Sequence, residues 1–229
     1  MKKYYESMRN ERKGIAMRRQ KSYCIIKKDG NVYFPIKAKL GPYYGETGEL
    51  KTGYLAGMPN FFGGTVEGDK DIYFTLINEV SQESQKNIKI NLSDTDNKEE
   101  QRNKIMGACV LLESFTFGRE NSTEYYFYSF NADDYQPTVT IEGFEGSNML
   151  RLSTDTKWEE KYREMSCILK IPVSQLLKEF DNFLDKCIET GREYLLDKGT
   201  ITTHRDWNDD GTQNAFRAFC TKYGIDAIH

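Results

Sequence analysis

Two apolar runs, SYCIIKK and NVYFPIKAK, meet with only Asp29 and Gly30 between them. Asp-Gly placed between strand-type segments is a strong short-range hairpin signal, because both residues accept the left-handed backbone of a tight turn. Residues 22–39 are therefore expected to form two antiparallel strands, and a hairpin of this kind needs further strands or a helix to cover its apolar face.

The rest of the chain supplies both. MGACVLLESFTFG (106–118) and TEYYFYSF (123–130) are rich in β-branched, aromatic and aliphatic residues and read as strands, as do the shorter PTVTI (137–141) and SCILKI (166–171). Residues 71–84 fit a helix, with Ile72, Leu76 and Val80 spaced by four. Pro172 and Ser174 mark a second helix entry, followed by Leu176, Leu177, Phe180 and Leu184, and residues 211–224 read as a further short helix. Residues 88–104 turn polar and are expected to be a surface excursion. Strands early and helices late predict an α/β (α+β) fold, a mixed sheet sandwiched between helices, with a helical C-terminal extension.

Bulk properties narrow the function classes. The 229 residues carry a net charge of −3, so the chain as a whole is no magnet for nucleic acid. Residues 1–21 differ, with eight Lys and Arg against two Glu. Such an arm could follow phosphates, which makes RNA a weak candidate partner; the plainer expectation is a solvated extension. No apolar run is long enough for a membrane span, and no apolar core follows the basic residues, so neither a membrane partner nor a secretory signal is expected. Five cysteines (Cys24, Cys109, Cys167, Cys187 and Cys220) without a CxxC pair, and only His204 and His229, argue against zinc and for a reducing, cytoplasmic setting.

The stretch GGTVEGDKDIYFTLINEVSQESQ (63–85) carries the most chemistry. Glu79 and Glu83 lie four residues apart and so point the same way on a helix, at the edge of its apolar stripe. Gly63 and Gly64 would let a loop fold closely against them. Two carboxylates and a backbone carbonyl make a hard-oxygen site suited to Mg²⁺ or Mn²⁺. The alternative is a simple turn followed by a solvated helix.

The same residues resemble the Nudix box: a Gly, five residues, Glu, seven residues, Arg-Glu, an aliphatic residue, a spacer, Glu-Glu, a spacer and Gly. Counting from Gly64, the spacing is kept without a gap through Glu79, Val80, Glu83 and Gln85, and Gly63 with Val66-Glu67 resembles the family's usual opening. Four positions depart: Lys70 stands for Glu, Asn78 for Arg, Gln82 for the first Glu of the pair and Gln85 for Gly. The loss of the family's Glu and Arg together implies a different bracing of the loop, with Lys70 expected to pair with Glu67 or Asp69. The flanking segments, a hairpin before the box and SCILKIPVSQLLKEF as a closing strand and helix, also look like the family. The resemblance covers roughly residues 20–185.

The resemblance implies a Nudix-like hydrolase that cleaves the diphosphate linkage of a nucleoside diphosphate derivative with Mg²⁺ or Mn²⁺. Its metal ligands would be Glu79, Glu83 and the Gly63 carbonyl, and Glu67 would support the loop or touch substrate. Glu164, just before the closing strand, is the first candidate for general base, ahead of Glu159, Glu160, Glu124, Glu142 and Glu145. Tyr54 and Phe62, in or next to the glycine-rich stretch 40–60, are candidate substrate contacts, with Tyr43, Tyr44 and Phe61 beside them. The weakened box equally allows a catalytically weak or inactive domain that binds a nucleotide or a protein partner, and a homodimer is compatible with either. The expected organisation is a basic extension (1–21), a Nudix-like domain (22–185) and a helical extension (186–229). Asp206, Asn208, Asp210 and Gly211 match half of a calcium loop, but Arg217 stands where its closing Glu is needed, so a turn is expected there.

Overall fold

The computed structural model describes residues 19–37, 59–68, 70–117, 122–153, 164–176 and 211–224. The hairpin forms as its sequence predicts. Strand β1 (Arg19–Lys28) turns through Asp29 and Gly30, with φ of 49° and 69°, into β2 (Asn31–Lys37). Those two left-handed residues match the right-handed twist of the paired strands.

Strand β3 (Phe62–Val66) follows and leads into helix α1 (Ile72–Glu83). Asp71 caps that helix by accepting the Tyr73 N–H at 2.8 Å. Next come β4 (Ile88–Ile90), helix α2 (Lys98–Ala108), β5 (Cys109–Phe117) and β6 (Thr123–Asn131). The described chain continues with β7 (Val139–Ile141), β8 (Met149–Arg151), β9 (Met165–Pro172) and helix α3 (Thr212–Gly224). A helical turn also opens at 173–176, directly after β9.

Seven strands form one mixed sheet in the order β5-β6-β1-β2-β9-β8, with β3 also paired to β1. Strand β1 is its hub. Its first half, Gln20–Cys24, pairs antiparallel with β3, its end pairs with β2, and its other edge runs parallel to β6. Strands β4 and β7 form a separate antiparallel pair.

Alternation along the strands sorts the apolar residues into two cores. Cys24, Ile26, Tyr33, Phe62, Tyr128 and Phe130 pack under α1 and α2 against Leu76, Ile77, Val80 and Ile105. Ile25, Val32, Phe34, Phe61 and Phe127 face the opposite way and meet Leu176 and the α3 residues Ala215, Phe216 and Phe219. Helices thus cover both faces of the sheet, as the sequence predicts.

One segment differs from its expectation. The polar stretch 88–104 is not a surface excursion but a short strand and the start of α2. That helix is held by local chemistry rather than by an apolar stripe. Asn97 accepts from the N–H groups of Glu99 and Glu100, while the Glu100 carboxylate accepts the Asn97 N–H at 3.0 Å. This reciprocal cap satisfies otherwise unpaired backbone donors. Only Ile105 and Ala108 of the helix are buried, so the apolar periodicity is too weak to reveal it.

Candidate active site

The segment from Gly63 to Gln85 folds as a strand, a loop and a helix that bends back on the strand. Gly63 has no room for a side chain: a Cβ there would sit 2.0 Å from the Ser22 carbonyl oxygen and 2.6 Å from the Tyr23 Cα. A Cβ at Gly64 would meet the Glu79 carboxylate, with Oε1 at 2.9 Å. The glycine pair therefore lets α1 place its carboxylates against the strand backbone. The Gly63 N–H donates to Glu83 Oε2 at 2.8 Å, and Glu83 is only 2% exposed.

Around this contact lies a cavity of about 480 Å³, within the size range of small-molecule sites. Gly63, Gly64, Glu67, Glu79 and Gln82 contribute from the β3–α1 unit, and Glu164 enters from just before β9. Lys37 from the end of β2 and Lys21 from β1 bring positive charge, while Tyr23, Tyr125 and Phe127 bring aromatic surface and Thr212 comes from the first turn of α3.

The carboxylates act on one another. Burial pushes the Glu83 carboxyl well above the usual range, and the negative charges of Glu164 and Glu79 push the same way. The Gly63 N–H and the Lys37 ammonium oppose them without cancelling the effect. A buried carboxylate beside two others is a place where added positive charge is strongly favoured. The donor chemistry, carboxylate oxygens only, fits a hard cation. Among the described residues, however, no group of three or more His, Cys, Asp or Glu is placed to hold a metal ion.

The departures from the box have local consequences. Lys70 Nζ pairs with Glu67 at 2.9 Å, as expected, but both side chains are mostly exposed, so the pair adds little rigidity. Glu67 lies with its carboxyl below the usual range because Lys70 donates to it. Asn78 is exposed and plays no bracing part equivalent to Arg. The helix start is tied down instead by Arg102, whose Nε donates to Asp71 Oδ2 at 2.6 Å. Gln85 adopts a left-handed φ of 52°, where glycine is the usual choice. Its side-chain amide donates to the Ser153 carbonyl at 2.7 Å and accepts the Ser153 N–H at 2.8 Å, joining the helix end to the chain beyond β8.

Of the residues singled out in the sequence, Glu79, Gly63, Glu67 and Glu164 line the cavity, and Glu83 lies against it through Gly63. Phe62 does not line it, which corrects its expected contact with substrate. Phe62 points under α1, where it is fully buried in the core, while Gly63, Gly64 and Thr65 after it on β3 line the cavity. Phe61 is likewise fully buried, in the core under α3. Tyr54, Tyr43, Tyr44, Glu159, Glu160, Asp69, the basic stretch 1–18 and residues 206–210 fall outside the described residues. Lys21, Tyr23, Lys37, Tyr125, Phe127 and Thr212 escaped the sequence reading. The only signal for the rings was the alternation in β1 and β6, which fixes which residues share a face but not that the face is open.

No family model matches the chain, and no curated protein matches it. Solved structures do. The NUDIX domain of Shewanella oneidensis NrtR complexed with ADP ribose shares 11% identity, with 83% of this chain and 97% of that chain covered and a TM-score of 0.39. The MutT protein from Bacillus halodurans shares 14% over 73% of this chain and 80% of that chain, with a TM-score of 0.37. The MutT NUDIX hydrolase from Burkholderia pseudomallei shares 11% over 68% and 84%, also with a TM-score of 0.37. Likenesses of this size leave the function to be argued from the chain's own residues. Among those described, no helix is long and apolar enough to cross a membrane.

Proposed function

We propose that the chain is a Nudix-like hydrolase that cleaves the diphosphate linkage of a nucleoside diphosphate derivative, using Mg²⁺ or Mn²⁺ in a reducing, cytoplasmic setting. The observation that carries this reading is that Glu79 and Glu164 line one cavity, with Glu83 buried behind Gly63, whose N–H it accepts. Glu79 and Glu83 would hold the metal. Mg²⁺ is commonly bound through one or two carboxylates, with water and substrate phosphate as its other ligands, so two Glu suffice for a site completed by substrate.

When bound, the metal would supply positive charge to the diphosphate oxygens. Lys21 and Lys37 add fixed positive charge at the same cavity and would orient the phosphates. Glu164 is the general base in this reading. It takes a proton from a water whose oxygen attacks one phosphorus, while the bridging oxygen leaves with the other phosphate.

A second reading has its own observation. Glu83 is engaged by the Gly63 N–H, and Gln82 carries no charge, so the metal set is reduced. A chain of this kind could bind a nucleotide, or a protein partner, without turnover. Hydrolysis of a panel of nucleotide sugars, ADP-ribose, dinucleoside polyphosphates and nucleoside triphosphates with Mg²⁺ or Mn²⁺ separates the two. Turnover by the wild type that falls to background in Glu83→Gln supports the hydrolase. No turnover on any compound, with nucleotide binding unchanged in the variant, supports the binding domain.

A further inference from the structure

The cavity floor is an ordered stack of rings. Register across the sheet sets Phe115 opposite Tyr125, Tyr125 opposite Lys21, and Phe127 opposite Tyr23. These side chains share one face. Phe115 and Tyr125 lie 4.7 Å apart and 7° from parallel, and Tyr23 and Phe127 lie 5.0 Å apart and 16° from parallel. Tyr23 and Tyr125 are also close to parallel, 6.4 Å apart at 8°.

The ladder ends at a cation. Phe115 flanks Tyr125 on the β5 side, and on the β1 side Lys21 Nζ lies over the Tyr125 ring, 5.3 Å from its centroid. Phe127 is almost fully buried, whereas Tyr23 and Tyr125 are only partly so. Both tyrosines line the same cavity as Glu79 and Glu164. One cavity thus holds a ring stack with a partly open end, a cation at that end, and a group of carboxylates.

We infer that Tyr125 and Tyr23 form the subsite for a heteroaromatic base, which continues the ring ladder in the place Lys21 now holds over Tyr125. The identification deepens the proposed function and rests on it for the diphosphate half of the ligand. Stacked side chains held in register by a sheet offer a planar group a prepared surface, and every base has a π-face that can use it. Lys21, moved off the ring, remains within the same cavity to meet the phosphate that follows the ribose. The subsite selects for the presence of a base more than for its identity, because stacking reads shape rather than hydrogen-bonding edges.

The test is equilibrium binding of AMP, GMP, CMP and UMP to the full chain, against ribose 5-phosphate, without added metal. At least one nucleotide is expected to bind about tenfold or more tightly than ribose 5-phosphate. That advantage should disappear in Tyr125→Leu and persist in Tyr125→Phe, with Tyr23→Leu weakening it. Thermal unfolding of each variant checks that it is folded. Equal affinity of ribose 5-phosphate and all four nucleotides for the wild type overturns the subsite. So does an advantage that survives both leucine variants. Because no turnover is measured, failure of hydrolysis leaves this outcome readable, and a chain that hydrolyses diphosphates yet binds ribose 5-phosphate as tightly as the nucleotides would overturn only the stack.

Discussion

The carboxylate side of the cavity and its aromatic floor are built by different kinds of order. The carboxylates Glu79 and Glu83 come from one turn of one helix, facing two adjacent glycines, with Glu83 set 20 positions after Gly63. The floor comes from β1, β5 and β6, whose rings lie up to 104 positions apart, counting from Tyr23 to Phe127, and meet only through strand register. The first side depends on close approach of backbone to side chain. The second depends on the sheet keeping its register and on α3 covering the same face. Substitutions on the two sides should therefore fail in different ways.

The largest effect is expected beneath the floor. Phe216 of α3 is fully buried and packs edge-on to Phe34 and Phe61, at 5.2 and 4.8 Å between centroids. Phe216→Ala should cost about 4 kcal/mol in chemical denaturation, from lost burial and the cavity left behind. Because Thr212 from the same helix lines the cavity, nucleotide binding should weaken too. A variant that unfolds at the wild-type midpoint would mean that α3 is not integral to the floor, and the contrast would collapse.

The glycine pair gives the next effect, and it divides within itself. Gly63→Ala would drive a Cβ into the backbone of β1, which cannot yield without opening the β1–β3 ladder. The expected cost is about 3 kcal/mol. Gly64→Ala would meet only the end of the Glu79 side chain, which can turn aside. Its stability cost should be nearer 1 kcal/mol, but diphosphate hydrolysis should fall because Glu79 is displaced. Equal melting shifts for the two alanines would remove the distinction between a structural and a positioning glycine.

This division also explains what could be read in advance. The hairpin, α1 and the carboxylate pair rest on local rules, namely Asp-Gly at a turn, a spacing of four on a helix and glycines before it, and local rules survive in sequence. The strand alternation was legible as well. Phe62 was expected at the cavity for its place beside the glycine-rich stretch 40–60, and that expectation failed because nearness in sequence does not say which face of a strand a side chain takes. Gly63 and Phe62 are neighbours on β3 with opposite fates. Helix α2 was missed for the converse reason: its Asn97–Glu100 cap was visible in the sequence, but the helix buries too little apolar surface to show a period. Tyr125, Tyr23 and Lys21 could not be grouped without knowing that β1 and β6 run parallel, since an antiparallel or shifted pairing sets different residues side by side.

The smallest effect is a slope with pH, and it bears on the carboxylate side alone. In the folded chain the Glu83 carboxyl is raised well above its ordinary value, first by burial and then by Glu164 and Glu79. The folded chain therefore holds a proton that the unfolded chain has already released. Stability falls as pH rises from the unfolded value toward the folded one, then levels off once both states are ionised. Glu83→Gln cannot ionise, yet its amide oxygen can still accept the Gly63 N–H. Its denaturation midpoint should thus match wild type in acid and exceed it progressively as pH rises, and the gain should reach a plateau. Added Mg²⁺ at neutral pH should raise the wild-type midpoint and leave the variant unmoved, because positive charge relieves the repulsion only where the charge remains. A midpoint difference independent of pH would mean that Glu83 is compensated within the fold. A shift of the same size in both proteins would place Mg²⁺ binding elsewhere.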